Sequence, residues 1–256
     1  MLKTRVIPVL LLQNKKLVKS IKFKDYTYLG DPINAVKIFS EKEAHELVFF
    51  DINASKQNKT ISIDTVKKIA DECYMPFSVG GGIKTIQDIH KILYNGAEKV
   101  VINTTSVKKP DLIKEASEVF GSQSIIVCID VKRKFTGSYE VYINGGNTKT
   151  GLTPLDHAKK MEELGAGEIM INSIDRDGTM RGYDIEIIKK IADSVNIPVI
   201  ACGGAGKLQD FSEVVYQGHA SAVSAGSLFV FYGPKKAVLI NFPTIEELEK
   251  VIDIKG

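Results

Sequence analysis

The stretch PVIACGGAGK, residues Pro198–Lys207, repeats the pattern of PFSVGGGI, residues Pro76–Ile83. The prolines at positions 76 and 198 lie 122 positions apart, and the diglycines at 81–82 and 203–204 keep the same spacing. Each stretch is a short apolar run that ends in glycines, which is typical of a buried strand followed by a tight turn. The repetition predicts a chain built from two halves of similar structure.

Short apolar runs of this kind recur along the whole chain and alternate with amphipathic stretches. The eight runs cover residues 5–12, 46–52, 76–79, 99–103, 124–131, 168–172, 197–202 and 220–225. Helices are predicted between them over residues 31–43, 62–72, 85–94, 110–120, 154–164, 185–194 and 208–217. Continuous apolar runs are expected of strands that are covered on both faces, and strands alternating with helices indicate βα units. Eight such units predict an α/β protein of the (β/α)8 TIM-barrel class, with one domain over residues 1–256 and half-barrels at about 1–120 and 121–256.

The composition excludes several other classes of protein. Of the 256 residues, 44% are hydrophobic and 25% are charged, which is ordinary for a globular protein and excludes disordered or collagen-like chains. The net charge of +3 gives no reason to expect a nucleic acid as partner. Three widely spaced cysteines indicate a reducing compartment, and neither a membrane-spanning run nor a secretory signal is recognisable. We therefore expect a cytoplasmic protein without a membrane partner.

Residues with phosphate-binding chemistry follow four of the predicted strands, in two matching pairs. Glycines let a backbone approach a phosphate closely, and hydroxyl and main-chain N–H groups at a helix start donate hydrogen bonds to it. Tight βα turns alone would explain the glycines, whereas the duplication with hydroxyl residues in place favours two phosphate sites. An aspartate at Thr104 or Gly204 is expected to block such a site and to leave the fold intact. The candidates are Gly82, Asn103, Thr104, Gly203, Gly204, Gly226 and Ser227.

Carboxylates at the ends of predicted strands are candidates for proton transfer. Asp130 ends the fifth strand, Asp51 ends the second, and Asp177 follows the sixth. A carboxylate at this end of a barrel strand can act as a general acid or base once burial tunes its pKa, although Asp130 could equally cap a loop. The position that matches Asp130 in the first half is Leu11, 119 positions earlier. Leucine carries no proton, so the sequence does not support chemistry by two facing carboxylates.

Four charged residues lie at the opposite ends of the strands: Arg5, Glu46, Lys99 and Glu168. Two cations and two anions at the bottom of a barrel could close a ring of salt bridges. Such a ring would seal the core, since the bottom face of a barrel usually serves stability. The alternative is a gate for a small neutral molecule. Charged pairs are costly to desolvate, so they are seldom the most stable way to close the bottom of a barrel.

Other kinds of chemistry have no support in the sequence. Histidine, cysteine and carboxylate positions show no metal-ligand spacing, so neither a metal nor a cofactor is expected. No arrangement of cysteine and histidine suggests a nucleophile that could hydrolyse an amide.

Long motifs of this chain resemble the cyclase subunit of imidazole glycerol phosphate synthase, the HisF family. The similarity covers nearly the whole chain. The motifs are GDP (Gly30–Pro32), ELVFFDINAS (Glu46–Ser55), PFSVGGGI (Pro76–Ile83), VVINTT (Val100–Thr105), FGSQSIIVCIDVKR (Phe120–Arg133), GAGEIMINSIDRDGTMRGYD (Gly165–Asp184) and PVIACGGAGK (Pro198–Lys207).

The resemblance implies a function for the barrel and for its site residues. In that family the subunit receives ammonia from a separate glutaminase docked at the barrel bottom, and the ammonia crosses the barrel to a bis-phosphorylated substrate at the top. It implies that Asp130 is the base, that Lys19 belongs to a mobile first loop, and that the four charges at the bottom form the ammonia gate. The implied phosphate and substrate residues are Lys19, Asp51, Gly82, Asn103, Thr104, Asp177, Gly178, Gly203, Gly204, Gly226 and Ser227.

The chain departs from the family at the end of the first strand, where Leu11 replaces the general-acid aspartate. The region around residues 11–43 and the end of the chain resemble a paralogous branch that is associated with acetamidino modification of sugars in surface polysaccharide biosynthesis. That branch works with a glutaminase and with a separate amidotransferase-type ligase. We therefore expect ammonia addition to a phosphorylated or nucleotide-linked sugar. A cyclase of histidine biosynthesis that tolerates the leucine is the first alternative, and a barrel that only activates its glutaminase is the second.

Overall fold

The structure, a computed structural model, describes residues 4–252, and the predicted domain limits at residues 1 and 256 lie outside this range. The strands are β1 (Arg5–Gln13), β2 (Lys16–Ile21), β3 (Lys24–Gly30), β4 (Leu47–Asp51), β5 (Phe77–Gly80), β6 (Lys99–Ile102), β7 (Ile125–Arg133), β8 (Tyr139–Ile143), β9 (Thr148–Lys149), β10 (Glu168–Ser173), β11 (Val199–Cys202), β12 (Ala222–Ala225), β13 (Phe231–Tyr232) and β14 (Ala237–Val238). The helices are α1 (Pro32–Glu41), α2 (Ile63–Ala70), α3 (Ile86–Tyr94), α4 (Thr104–Lys108), α5 (Asp111–Phe120), α6 (Pro154–Glu163), α7 (Ile185–Ala192), α8 (Gln209–Tyr216), α9 (Ser227–Val230) and α10 (Ile245–Glu249).

Eight of these strands run parallel and close into a barrel. They hydrogen-bond in the order β10, β11, β12, β1, β4, β5, β6 and β7, and β7 pairs back to β10. Helices lie between consecutive barrel strands, which confirms the predicted TIM barrel. The predicted strand and helix ends agree with the structure to within two residues, because the apolar runs and the capping residues mark them clearly.

Local sequence signals explain where the helices begin. The Asp31 side chain accepts hydrogen bonds from the N–H groups of Ile33 and Asn34, and Pro32 occupies the first turn of α1. Thr85 and Asp88 form a reciprocal capping box at the start of α3. These caps fix where α1 and α3 begin, a few residues after β3 and β5 end.

The strand register shows the internal symmetry of the barrel. Leu11 on β1 lies beside Phe50 on β4, and Asp130 on β7 lies beside Asn172 on β10. Leu11 and Asp130 differ by 119 positions, while Phe50 and Asn172 differ by 122. Leu11 and Asp130 therefore have neighbours that also match in the sequence repeat, and the three-residue difference falls within the connection between the paired strands.

Two antiparallel hairpins at the top of the barrel were not among the predicted elements. Strands β2 and β3 form the first, and strands β8 and β9 extend β7 into the second. Tyr26 and Tyr28 lie on β3. The prediction failed there because β3 is almost wholly exposed and polar, so it lacks the apolar run that marked the other strands.

The apolar core has an outer and an inner part. The outer part lies between the strands and the helices, while the inner part fills the barrel itself.

Within residues 4–252 no helix is long and apolar enough to cross a membrane. In the same range no three His, Cys, Asp or Glu residues lie together in a way that could hold a metal ion.

Candidate active site

Four charged side chains form a closed ring at the bottom of the barrel. Arg5 contacts Glu46 through Nη1 and Oε2 at 2.7 Å and also pairs with Glu168. The Nζ of Lys99 lies 2.6 Å from Oε1 of Glu168 and 3.5 Å from Oε1 of Glu46. The Ser78 hydroxyl donates to Glu46 Oε1 at 2.9 Å. Each anion therefore touches both cations, and the structure brings all four predicted residues together.

The ring keeps the Glu168 carboxylate ionised. Burial of Glu168 by itself would raise its pKa, but the hydrogen bonds and positive charges of Arg5 and Lys99 outweigh burial and lower the pKa. Glu168 is buried, so it could not remain charged at this depth without these partners.

The space between the ring and the top of the barrel is filled by apolar side chains. Leu11 and Phe50 pack against the upper end of this inner cluster. An ion crossing this region would lose most of its hydration among these side chains, whereas a small neutral molecule would meet a much lower cost. The buried members of the cluster are Ile7, Val9, Val48, Val101, Ile126, Cys128, Met170, Ile200, Cys202 and Ala222.

A cavity of about 430 Å³ opens at the carboxyl ends of the barrel strands. Its lining brings together Leu11 and every residue that we expected to bind substrate or to transfer protons, while the four ring residues lie outside it. These lining residues are Lys19, Asp51, Gly82, Asn103, Thr104, Asp130, Asp177, Gly178, Gly203, Gly204, Gly226 and Ser227.

Asp130 is the buried carboxylate of this cavity. Burial raises its pKa to about 7, with a further contribution from the negative charge of Asp177. Hydrogen bonds from the side chains of Asn172 and Asn103 oppose the shift, and the Asn172 Nδ2 lies 3.1 Å from Asp130 Oδ1. A carboxyl group that titrates near neutral pH can both accept and donate a proton under physiological conditions.

The opposite wall of the cavity has no such group. Leu11 occupies the place on β1 that Asp130 occupies on β7, and its neighbour Phe50 takes the place of Asn172. Both Leu11 and Phe50 line the cavity. The structure therefore places one titratable carboxyl group against an apolar wall.

Asp51 and Asp177 are held by their own surroundings. The Asp51 carboxylate accepts hydrogen bonds from the N–H groups of Asn53 and Ala54 at 3.0 and 3.1 Å, so it orders the loop after β4. The Asp177 carboxylate accepts from Lys19 Nζ at 2.8 Å and from Ser20 Oγ at 2.9 Å. Lys19 is thus neutralised within the chain, and the β2–β3 hairpin is fastened to the loop after β10.

The glycines of the cavity are required by the backbone. Gly204 has φ of +122°, and a Cβ there would lie 2.2 Å from the carbonyl oxygen of Gly182. Gly82 has φ of +66°, and a Cβ there would lie 1.8 Å from the carbonyl oxygen of Lys59. The expectation that an aspartate at Gly204 would leave the fold intact is therefore wrong, since any side chain would push two loops apart.

The hydroxyl groups of the two predicted phosphate sites differ in their partners. Thr104 Oγ1 donates to Asn103 Oδ1 at 3.3 Å and accepts from the Asn144 N–H at 3.1 Å. The Ser227 hydroxyl is buried and has no hydrogen-bond partner among the described residues, although it lines the cavity. A buried hydroxyl without a partner is costly, so the Ser227 side is suited to a polar ligand.

Comparison with known proteins assigns the chain to a family. The model of the histidine biosynthesis protein family matches residues 5–234. An imidazole glycerol phosphate synthase subunit HisF of Alkaliphilus metalliredigens is 46% identical over 229 residues, which are 90% of this chain and 91% of the relative. The chain belongs to the HisF family. It is also 46% identical over 249 residues to a Pseudomonas aeruginosa protein provisionally named as imidazole glycerol phosphate synthase subunit hisF2, covering 97% of this chain and 99% of that protein. A Leptospira interrogans protein, provisionally named HisF, is 47% identical over 250 residues, with 97% and 98% covered.

Several residues of this HisF-family cavity were missed by the sequence analysis. Asn172 is the last residue of a predicted strand, and its position beside Asp130 could have been inferred from the pairing of neighbouring strands. Four lysines also follow the strand ends on the Thr104 side of the cavity, beside the predicted glycines and hydroxyl groups. These lysines are Lys56, Lys84, Lys108 and Lys109.

Proposed function

We propose that this HisF-family protein is a synthase subunit that receives ammonia through the bottom of its barrel and adds it to a phosphorylated or nucleotide-linked acceptor. The acceptor we favour is a sugar whose acetamido group becomes an amidine during surface polysaccharide biosynthesis in the cytoplasm. The observation that carries the proposal is that Leu11 on β1 takes the place that Asp130 takes on β7, because this arrangement supports proton transfer by one carboxyl group and not by two.

The charge ring supports the entry of ammonia at the bottom. A glutaminase docked on this face would release ammonia beside Arg5 and Lys99, whose side chains are partly accessible from outside. Displacement of Lys99 would open the ring while Arg5 still neutralised both Glu46 and Glu168. Beyond the ring, the apolar interior favours neutral ammonia over ammonium.

The cavity at the top supports addition to an anionic acceptor. Asp130 would take the proton that the nitrogen loses when it attacks the acceptor carbon, and its pKa of about 7 suits this role. The unpartnered Ser227 hydroxyl and the N–H groups around Gly204 and Gly226 would hold a phosphate. A separate amidotransferase-type ligase would activate the acetamido oxygen with a nucleoside triphosphate, and the oxygen would leave with the transferred phosphoryl or nucleotidyl group when ammonia attacks the carbon. The ligase is needed because Leu11 takes the place of a second carboxyl group on β1, while Lys19 and Ser20 hold the Asp177 carboxylate.

A cyclase of histidine biosynthesis is the second candidate function. It is favoured by the lining of the cavity, which keeps Asp130 and glycine-rich turns in both halves of the barrel. It is also favoured by the names of the relatives, which refer to imidazole glycerol phosphate synthase. Ring closure in this case would have to proceed without an acid at position 11.

Mass spectrometry of the products distinguishes the candidates. The protein is incubated with a high concentration of an ammonium salt, which replaces the glutaminase, and with either the ribulosyl precursor of histidine biosynthesis or an acetamido sugar nucleotide. An amidine that forms on the sugar after addition of the ligase and a nucleoside triphosphate supports the proposal. Turnover of the ribulosyl compound that Asp130→Asn abolishes would support the cyclase. Absence of both products would leave a barrel that only activates its glutaminase.

A further inference from the structure

The charge of this protein is distributed very unevenly between the top of the barrel and the rest of the chain. Eight segments leave the barrel at the carboxyl ends of the strands: residues 12–31, 51–62, 81–85, 103–110, 130–153, 173–184, 203–208 and 226–244. They contain nineteen of the 34 Lys and Arg residues but eight of the 31 Asp and Glu residues, which gives them a net charge of +11 and leaves −8 on the rest of the chain. The small overall charge therefore conceals a strongly positive top face, which attracts anions over long distances.

The positive charge is also uneven within the cavity. Lys56, Lys84, Lys108 and Lys109 line the side that contains Thr104. Among the described residues, no carboxylate lies within salt-bridge distance of these four amino groups. The side that contains Ser227 has Lys19 alone, and Asp177 neutralises it.

The four lysines come from three segments that line the same cavity. Lys108 and Lys109 follow α4, Lys84 follows β5, and Lys56 belongs to the loop after β4. The Lys56 side chain extends toward the second hairpin, where a Cβ on Gly145 would lie 3.7 Å from Lys56 Cε. Lys84 Nζ is hydrogen-bonded to Asn58, which fixes it at the cavity wall.

A single phosphate does not use this charge fully. A phosphate carries about 1.5 to 2 negative charges at pH 7. The four lysines carry four positive charges, and Asp51 is the carboxylate that lines the cavity on their side. Thr104 Oγ1 already has two partners, so the additional binding energy on this side has to come from the lysines. Two adjacent phosphoryl groups would engage more of these lysines.

We infer that the Thr104 side of the cavity binds a diphosphate, such as that of a nucleoside diphosphate, while the Ser227 side takes at most a single phosphate. The inference rests on the proposed function only in placing the acceptor in this cavity. It deepens that function by assigning a polyanionic end and a weakly charged end to the ligand.

Isothermal titration with inorganic pyrophosphate and inorganic phosphate at 0.15 M salt tests the inference on the whole protein. We expect pyrophosphate to bind at least about tenfold more tightly than phosphate. The double variant Lys108→Gln/Lys109→Gln should lose about tenfold in pyrophosphate affinity and less than about threefold in phosphate affinity. Uridine diphosphate is then compared with pyrophosphate, and tighter binding of the nucleotide indicates that the diphosphate belongs to a nucleotide-linked ligand.

Two further variants locate the bound pyrophosphate. Lys235→Gln/Lys236→Gln removes the same charge from the turn between β13 and β14, outside the cavity lining, and it should change both affinities by less than about twofold. Ser227→Asp should leave pyrophosphate binding nearly unchanged, because it lies on the other side of the cavity. Equal affinity for the two anions, an equal loss in the two lysine variants, or no binding at all would overturn the inference. The titrations need neither ammonia nor turnover, so a failure of amidine formation would not affect them.

Discussion

The variant Asp130→Asn should make the protein more stable, and the gain should depend on pH. The pKa of Asp130 is raised from an ordinary value of 3.8 to about 7, chiefly by burial. Below about pH 4 both the folded and the unfolded chain bind the proton, so the carboxyl group costs nothing. Between about pH 4 and pH 7 the unfolded chain loses the proton while the folded chain keeps it, so the free energy of unfolding falls as the pH rises.

The magnitude follows from the difference between the two pKa values. One pKa unit corresponds to about 1.4 kcal/mol, so the full penalty above pH 7 is about 4 kcal/mol. Asparagine has nearly the same shape, carries no charge, and keeps an oxygen that can accept the hydrogen bond from Asn172 Nδ2. The variant should therefore be about 4 kcal/mol more stable than the parent at pH 8 and equal to it at pH 4.

Urea unfolding at pH 4, 5, 6, 7 and 8 measures this difference directly. Asp71→Asn makes the same chemical change at an exposed position after α2 and serves as the control, which should show no such trend. Parallel stability curves for the parent and Asp130→Asn would refute the argument, because they would mean that the carboxyl group is ionised in the folded protein without penalty. A loss of stability at pH 8 would refute it equally.

Four other predictions concern the ring and the cavity. Lys99→Ala should reduce glutamine-dependent turnover while leaving ammonium-dependent turnover close to that of the parent, whereas an equal loss with both nitrogen sources would indicate a structural role. Thr104→Asp should weaken binding of an anionic substrate by at least about tenfold, since it places a negative charge against the ligand, and unchanged binding in a titration would contradict a phosphate site there. Asn172→Leu removes the hydrogen bond that stabilises the ionised form of Asp130, so the lower limb of the pH–rate profile should shift to higher pH. Leu11→Asp should raise cyclase activity toward the ribulosyl precursor, because a missing general acid costs about 10²–10⁴-fold, and an unchanged rate would show that the leucine is not what limits this reaction.

The sequence predicted those parts of the structure that depend on repeating local patterns. The barrel strands and helices follow from continuous apolar runs and from caps such as Asp31 and Thr85, which act over a few residues. The repeat of 122 positions matched the strand ends of the first half with those of the second. The strand pairing agrees with this match, because Leu11 lies beside Phe50 and Asp130 lies beside Asn172. Local pattern and global fold agree here, as is usual for minimally frustrated sequences.

The features that escaped prediction depend on contacts between distant segments. The β2–β3 hairpin is held by Asp177, which lies more than 150 positions from Lys19, and no local pattern records that contact. The intolerance of Gly204 to any side chain comes from the backbone of Gly182, which belongs to a different loop. The excess of positive charge at the top of the barrel is likewise not visible along the sequence. It is found only when the segments that follow the carboxyl ends of the strands are counted together.

The charge ring also acts as a brace between the two halves of the barrel. Arg5 lies on β1 and Lys99 on β6, which are the two edge strands of the first half, and Glu168 on β10 belongs to the second half. Glu168 binds both cations, so one carboxylate ties each edge of the first half to the middle of the second. Among the four ring residues, it alone comes from the second half. The lower ends of both seams, between β12 and β1 and between β6 and β7, are thus fastened from a single point, and a proton on that carboxylate would loosen the two seams together.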